Sequence, residues 1–166
     1  ASGESTYVDD VFSTYLYEGQ NTSTNTINNG IDLAGEGGLV WIKRRDGASV
    51  HHYLFDTERT NKYLNSNTDT AQFDAAAASY INSYTSTGFV TGDSSNIGWT
   101  DNFVSWSFRK SPGFFDVVTY TGNGTAGREI PHSLGSTPGM VIVKRLNGSD
   151  NWTVQHRSLG GTKSLY

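Results

Sequence analysis

The chain has 166 residues, 17% of them charged and 13% aromatic, with 19 Gly and three Pro. That is enough chain to bury one core, and the composition is that of a turn-rich β protein. A formal net charge of −4 gives no electrostatic reason to expect nucleic acid, no apolar run approaches the roughly 18 residues of a membrane helix, and zero cysteines exclude disulfides, thiolate catalysis and cysteine zinc sites together.

The sequence begins at Ala1 without Met and carries no signal-peptide pattern, which leaves a processed chain and a piece of a longer one both open. In chain order, residues 11–19 ("VFSTYLYEG") predict a strand ending at Gly19, and the polar stretch 20–30 predicts a loop or sheet edge. In 39–45, Val40, Ile42 and Arg44 alternate with Leu39, Trp41, Lys43 and Arg45. The basic run Lys43, Arg44 and Arg45 reads as strand residues with solvated heads. Asp46-Gly47 suits a tight turn, with 50–57 ("VHHYLFDT") as the return strand. Residues 58–67 are polar and broken, anchored by Tyr63 and Leu64.

The alanine run predicts a helix of one or two turns within 71–80. β character resumes in "INSYTSTGFVTG", and 103–108 ("FVSWSF") alternates so as to place Val104, Trp106 and Phe108 inward and Ser105 and Ser107 outward. Ser111-Pro112-Gly113 marks a boundary, after which 114–124 predicts another strand.

That strand opens a second copy of the first unit. Phe12, Tyr17 and Gly19 correspond to Phe115, Tyr120 and Gly122. Gly38, Val40, Lys43, Arg44 and Gly47 correspond to Gly139, Val141, Lys144, Arg145 and Gly148, and Lys62 and Leu64 to Lys163 and Leu165. The counterpart of Ser107–Lys110 would fall beyond Tyr166, so the second copy reads as partial. The expected fold is therefore an all-β antiparallel sandwich over residues 1–111, followed in 112–166 by the leading strands of a second unit. Those strands either stand alone or complete the same or a neighbouring sheet. Units of this kind bury their faces against one another or against other chains.

Few residues suggest chemistry. "GNGTAG" at 122–127 matches a dinucleotide fingerprint, but Pro131 and the turn-rich residues after it argue against the helix that motif must open, so a glycine-rich turn is the reading. His51, His52, His132 and His156 lack metal-ligand spacing, and no nucleophile elbow is present. Asp93, Asn96, Asp101 and Asn102 offer oxygens without the ordered spacing of a calcium loop. No cofactor or metal is expected. Asp56 and Glu58, two apart, could serve as a glycosidase's acid or base, although Arg59 beside them suggests a local ion pair. Trp99 lies in a polar loop, "NIGWTDN", and an indole among Asp93, Asp101 and Asn102 is suited to stacking on a sugar; the alternative is a lid on the core.

The phrases "GLVWIKRRDG", "YLFDTERTNKYLNSNT", "STGFVTG", "NFVSWSFRK", "VVTYTGNGT", "IPHSLGSTPGMVIVKR" and "NWTVQHRSLGGTKSLY" cover most of the chain in order. As a series they resemble a repeat of marine bacteriophage structural proteins, with Thr60 standing where the family's phrase has Gly. The resemblance implies a concanavalin-like or SPRY-like sandwich in a virion appendage such as a tail fibre, outside the cell. Its partners would be other copies or virion subunits, with host-surface glycan as a further ligand. The expected function is non-enzymatic and structural, with a lectin-like module as the alternative and a glycan-cleaving enzyme as the third reading.

Overall fold

The computed structural model describes residues 6–22, 24–47, 50–75, 79–160 and 163–165. A single turn of helix, α1 (Val8–Val11), leads into β1 (Phe12–Glu18). There follow β2 (Asn25–Asn28), β3 (Gly38–Arg44), β4 (Tyr53–Asp56), β5 (Lys62–Asn65), β6 (Phe73–Asp74), β7 (Ile81–Thr85), β8 (Gly88–Thr91) and β9 (Asn102–Arg109). The strands pair antiparallel into a six-stranded sheet, β1-β9-β3-β4-β5-β6, and a three-stranded sheet, β2-β8-β7. Val40, Ile42, Tyr53, Phe55, Tyr17 and Phe103 of the large sheet share one core cluster with Ile27, Ile81 and Phe89 of the small one. The chain is an all-β antiparallel sandwich. Burying a residue such as Phe89 or Phe103, both fully enclosed, contributes roughly 1.5–3 kcal/mol.

β9 corrects the expected alternation. Phe103, Ser105 and Ser107 face the interior, with no exposed area at all, and Val104, Trp106 and Phe108 lie on the other face. The register explains the inversion: Ser105 sits opposite Ile42 and Ser107 opposite Val40, so small residues leave room for the branched core pair. Ser107 Oγ accepts a 2.8 Å hydrogen bond from Asn29 Nδ2, which offsets the cost of burying a hydroxyl. The outer face is also covered in part, by Trp41 edge-on to Trp106 and by Phe12 and Phe115 against Phe108. Period two separates the two faces of such a strand but does not say which is interior when the more apolar face is also covered and small hydroxyl residues face the core.

Three further expectations are corrected. Within 71–80, the expected place of a helix, Phe73–Asp74 instead form β6, with Phe73 stacked on Tyr63 at 5.0 Å, while 76–78, most of the alanine run that suggests the helix, lie outside the described residues. Gly47 takes the left-handed φ of 77°, but the first pair of the hairpin is Ile42 with Tyr53. The connection is thus a long loop and not a tight turn. Residues 114–124 form no strand, apart from a bridge between Ser111 and Phe115.

Downstream, β10 (Met140–Val143) and β11 (Thr153–His156) make a two-stranded sheet of their own. The loop joining them rests on the turn after β5: Lys144 Nζ and Trp152 Nε1 donate to the carbonyls of Asp69 and Thr68, and Gln72 N donates to Leu146 O. The register differs by one residue from that of the first hairpin. Leu39 pairs with Asp56, whereas its counterpart Met140 pairs with His156 and not Arg157.

Gly38 shows how tightly β9 closes on β3, because a Cβ there would lie 2.1 Å from the carbonyl oxygen of Phe108 and 2.9 Å from Leu33 Cδ2. Gly38→Ala is expected to cost about 2 kcal/mol, within the roughly 1–3 kcal/mol of overpacking. At Gly139 an added Cβ meets only the Arg157 side chain, at 3.9 Å, and Gly139→Ala should stay within about 0.5 kcal/mol of the parent. Urea unfolding midpoints measure both; equal shifts would contradict the close approach at Gly38.

Candidate functional site: the loop that presents Trp99

The loop between β8 and β9 is short of regular structure but dense in backbone bonds. The Ser94 carbonyl accepts from the N–H groups of Ile97, Gly98 and Trp99 at 3.1, 2.7 and 3.1 Å. Asn21 N donates to Gly98 O and Gly19 N to Asp101 O, each at 2.9 Å. Two glycines permit this packing: a Cβ at Gly98 would lie 1.8 Å from Gly92 O, and one at Gly19 would lie 1.6 Å from Trp99 O. Neither position can carry a side chain without moving the loop.

The core anchors the loop from beneath. Tyr17, stacked on Phe103 at 5.2 Å, donates its hydroxyl to Ile97 O at 2.8 Å. Burial holds that phenol well above its ordinary pKa, so it remains a donor. Ile97 is fully buried, while Trp99 is 43% exposed. The lid on the core is therefore Ile97, and the indole of Trp99 is presented outward from a backbone fixed at several points. The pattern "NIGW" holds both residues, and two positions apart they serve opposite sides.

The other expected residues do not gather round the indole as free ligands. Asp101 Oδ2 pairs with Arg44 Nη1 at 3.1 Å. Asn102 donates from its backbone N and from Nδ2 to the Asp46 carboxylate, at 3.0 and 2.6 Å. The Asn102 amide holds Asp46 below the usual Asp pKa. Together these contacts clamp the end of β3 and the loop after it to the start of β9, and they engage Asp101 Oδ2 and Asn102 Nδ2. Asp93 is exposed beside the Gly92–Tyr80 and Ser94–Ser79 backbone bonds, while Asn96 Nδ2 donates to Tyr80 OH at 3.0 Å. Of the expected set, Trp99 and Asp93 are left exposed to solvent outside these contacts.

Asp56 and Glu58 are likewise engaged. The buried Asp56 carboxylate accepts from the N–H groups of Glu58 and Arg59 at 3.1 and 2.9 Å and from the Arg59 guanidinium, Nε at 2.8 Å. It organises the β4–β5 turn. Glu58 pairs with Lys110 at 2.7 Å, raising the lysine's pKa chiefly through that hydrogen bond. Lys110 also reaches Asp116 at 3.5 Å, and Asp116 Oδ2 accepts from Ser133 N at 2.6 Å. An open groove runs between these groups and Pro131 and His132, a latch between the first unit and the segment after it.

One grouping had escaped notice in the sequence. Trp41 Nε1 donates to His52 Nδ1 at 3.0 Å, and Trp41 lies edge-on to Trp106. Burial, then the Lys43 charge, lowers the His52 pKa, which favours the neutral ring able to accept that bond. Period two put Trp41 on the side of β3 opposite Val40 and Ile42, but nothing in the sequence paired it with His52 across the loop. In the glycine-rich stretch 122–127, the described backbone is exposed and forms no helix.

A family model described as a domain of unknown function, DUF7483, matches residues 8–166. No curated protein and no solved structure matches the chain. Tyr17→Phe leaves the buried Ile97 carbonyl without its partner and is expected to cost about 1–3 kcal/mol. It should also release the loop, so that Trp99 fluorescence anisotropy falls. Unchanged stability and anisotropy would mean that the Tyr17 bond does not hold the loop.

Proposed function

Proceeding from a chain that belongs to the DUF7483 family, we propose that it is a non-enzymatic structural module that works by assembly with other copies or with other subunits of a virion appendage such as a tail fibre. The observation that carries this reading is β10. Met140, Val141, Ile142 and Val143 are 56, 43, 53 and 38% exposed, so both faces of the strand meet solvent. Among the described residues β10 pairs with β11 alone, which leaves a row of N–H and C=O groups along its other edge. An apolar strand with an open edge is a template for association. The virion and its extracellular setting rest on the resemblance of the phrase series to marine bacteriophage structural repeats.

A second reading has its own observation. Trp99 projects from a backbone fixed by Gly19, Gly98 and Tyr17, and a pre-positioned indole stacks on the apolar C–H face of a sugar with little ordering cost. This would make the module lectin-like, with host-surface glycan as ligand.

Light scattering over a range of concentrations tests assembly. The chain should exceed 18.1 kDa as a trimer or larger species, and the double variant Val141→Lys/Ile142→Lys should dissociate it by charging both faces of β10. A mass of 18.1 kDa at every concentration would reject self-assembly. For the lectin reading, retention on an array of bacterial surface polysaccharides should fall about tenfold or more in Trp99→Ala, as expected for a lost stacking contact of roughly 1–3 kcal/mol; equal retention would reject a role for the indole.

A further inference from the structure

In the first unit, β9 lies between β1 and β3. The second unit contains counterparts of both flanks, 115–122 for β1 and β10 for β3, and their side chains can be compared pair by pair. Val40 and Ile42 are fully buried, whereas Val141 and Val143 are 43 and 38% exposed. Tyr17 is 8% exposed, packed on Phe103 of β9; Tyr120 is 50% exposed, with the Arg128 guanidinium 6.0 Å from its ring centre.

The glycines are the most specific sign. Gly38 has no room for a side chain because Phe108 O of β9 presses on it, and Gly19 has none because of Trp99 O, in the loop leading to β9. Gly139 has only the Arg157 side chain at 3.9 Å, and Gly122 has nothing within 4 Å. Glycine in or beside a strand carries an entropic cost and marks close approach of another backbone. In the second unit the glycines are present and the approaching backbone is not. Local features of the hairpin do recur: a Cβ at Gly47 or Gly148 would meet the guanidinium of Arg44 or Arg145 respectively.

We propose that the open edge of β10 is a slot for a β9-type strand, an extended segment alternating aromatic or branched residues with serine as in Asn102–Arg109, supplied by a further repeat unit. The assignment rests on the assembly reading and names the partner for its open edge. The β9 of a second copy is not the donor, since it is already paired along both edges. The incoming strand would run antiparallel to β10 as β9 does to β3. Its serines would oppose Val141 and Val143, as Ser107 and Ser105 oppose Val40 and Ile42, and its carbonyl would close over Gly139. A residue placed like Asp101 would meet Arg145, which now pairs with Asp150 at the surface.

The test is a fluorescein-labelled peptide of residues 101–110, "DNFVSWSFRK", titrated against the intact chain. Saturable one-to-one binding is expected, with slowed amide exchange at Met140 and Ile142, whose N–H groups point away from β11. Gly139→Val should weaken binding at least tenfold while leaving the unfolding midpoint unchanged, because that position is open until the strand arrives. Gly122→Val should leave it unchanged, because the carbonyl that fills the corresponding space at Gly19 belongs to Trp99, which the peptide lacks. Absent binding, equal binding by Gly139→Val, or protection appearing in β1 and β3 instead of β10 would overturn the slot. Light scattering on the same samples separates the two readings. A chain that self-associates but takes no peptide loses the slot and retains an assembly role; one that binds peptide at β10 yet stays at 18.1 kDa alone has the slot without self-assembly.

Discussion

Because β9 is hydrogen-bonded along both edges, to β1 from Phe12↔Phe108 to Glu18↔Asn102 and to β3 from Gly38↔Arg109 to Arg44↔Phe103, the six-stranded sheet depends on one late strand. Without it β1 would have no partner and β3 would keep only β4. The interior depends on it too, since Phe103 fills the space beside Tyr17 while Ser105 and Ser107 admit Val40 and Ile42. Closing the sheet joins segments about ninety residues apart, a loop-closure cost met only when the whole face is buried. The small side chains on the inner face of β9 and the glycine at position 38 are two parts of one fit.

The same strand fixes the functional candidate. Asn102, its first residue, is held by Asp46, and Asp101 just before it is held by Arg44. The loop that precedes β9 is thereby tied at its end to the sheet and at its middle to Tyr17. Trp99 sits between those ties. Its exposure reflects the surrounding restraints: Ile97 already fills the core beneath, and Asp101 and Asn102 are engaged in holding the loop.

Much of the sheet was legible in the sequence because its long strands have a clear period or strong β composition: 39–45 and 103–108 alternate, and 11–19 is rich in branched and aromatic residues. Glycines and basic residues also recur at a near-constant offset in the sequence, and the structure places a two-stranded hairpin at the later occurrence, with its register moved by one residue. The inner face of β9 was not legible, because its serines are chosen for size opposite Val40 and Ile42 while the more apolar face turns outward beneath aromatic neighbours. Short β2, β5 and β6 lack the length to show a period, and the pairing of Phe73 with Tyr63 just before the alanine run has no local signal. The roles of Asp101 and Asn102 depend on Arg44 and Asp46, more than fifty residues away, and no local pattern announces such contacts. Ile97 and Trp99 differ in depth by the turn at Ser94, a backbone property that composition does not carry.

The two functional readings are physically connected through chain order. The loop bearing Trp99 leads directly into β9, so a donor that brings a β9-type strand to β10 would bring the loop before it as well. That loop would arrive beside Gly122, just as Trp99 O lies against Gly19 in the first unit. Each completed unit would then display one rigid loop at the same place on its sheet. An array held together by strand insertion would repeat that display at a fixed spacing. Weak single contacts at each loop would then act together, because binding at one holds the next at high effective concentration. Assembly would thus set the geometry of recognition, and the open strand and the exposed indole would be successive parts of one design.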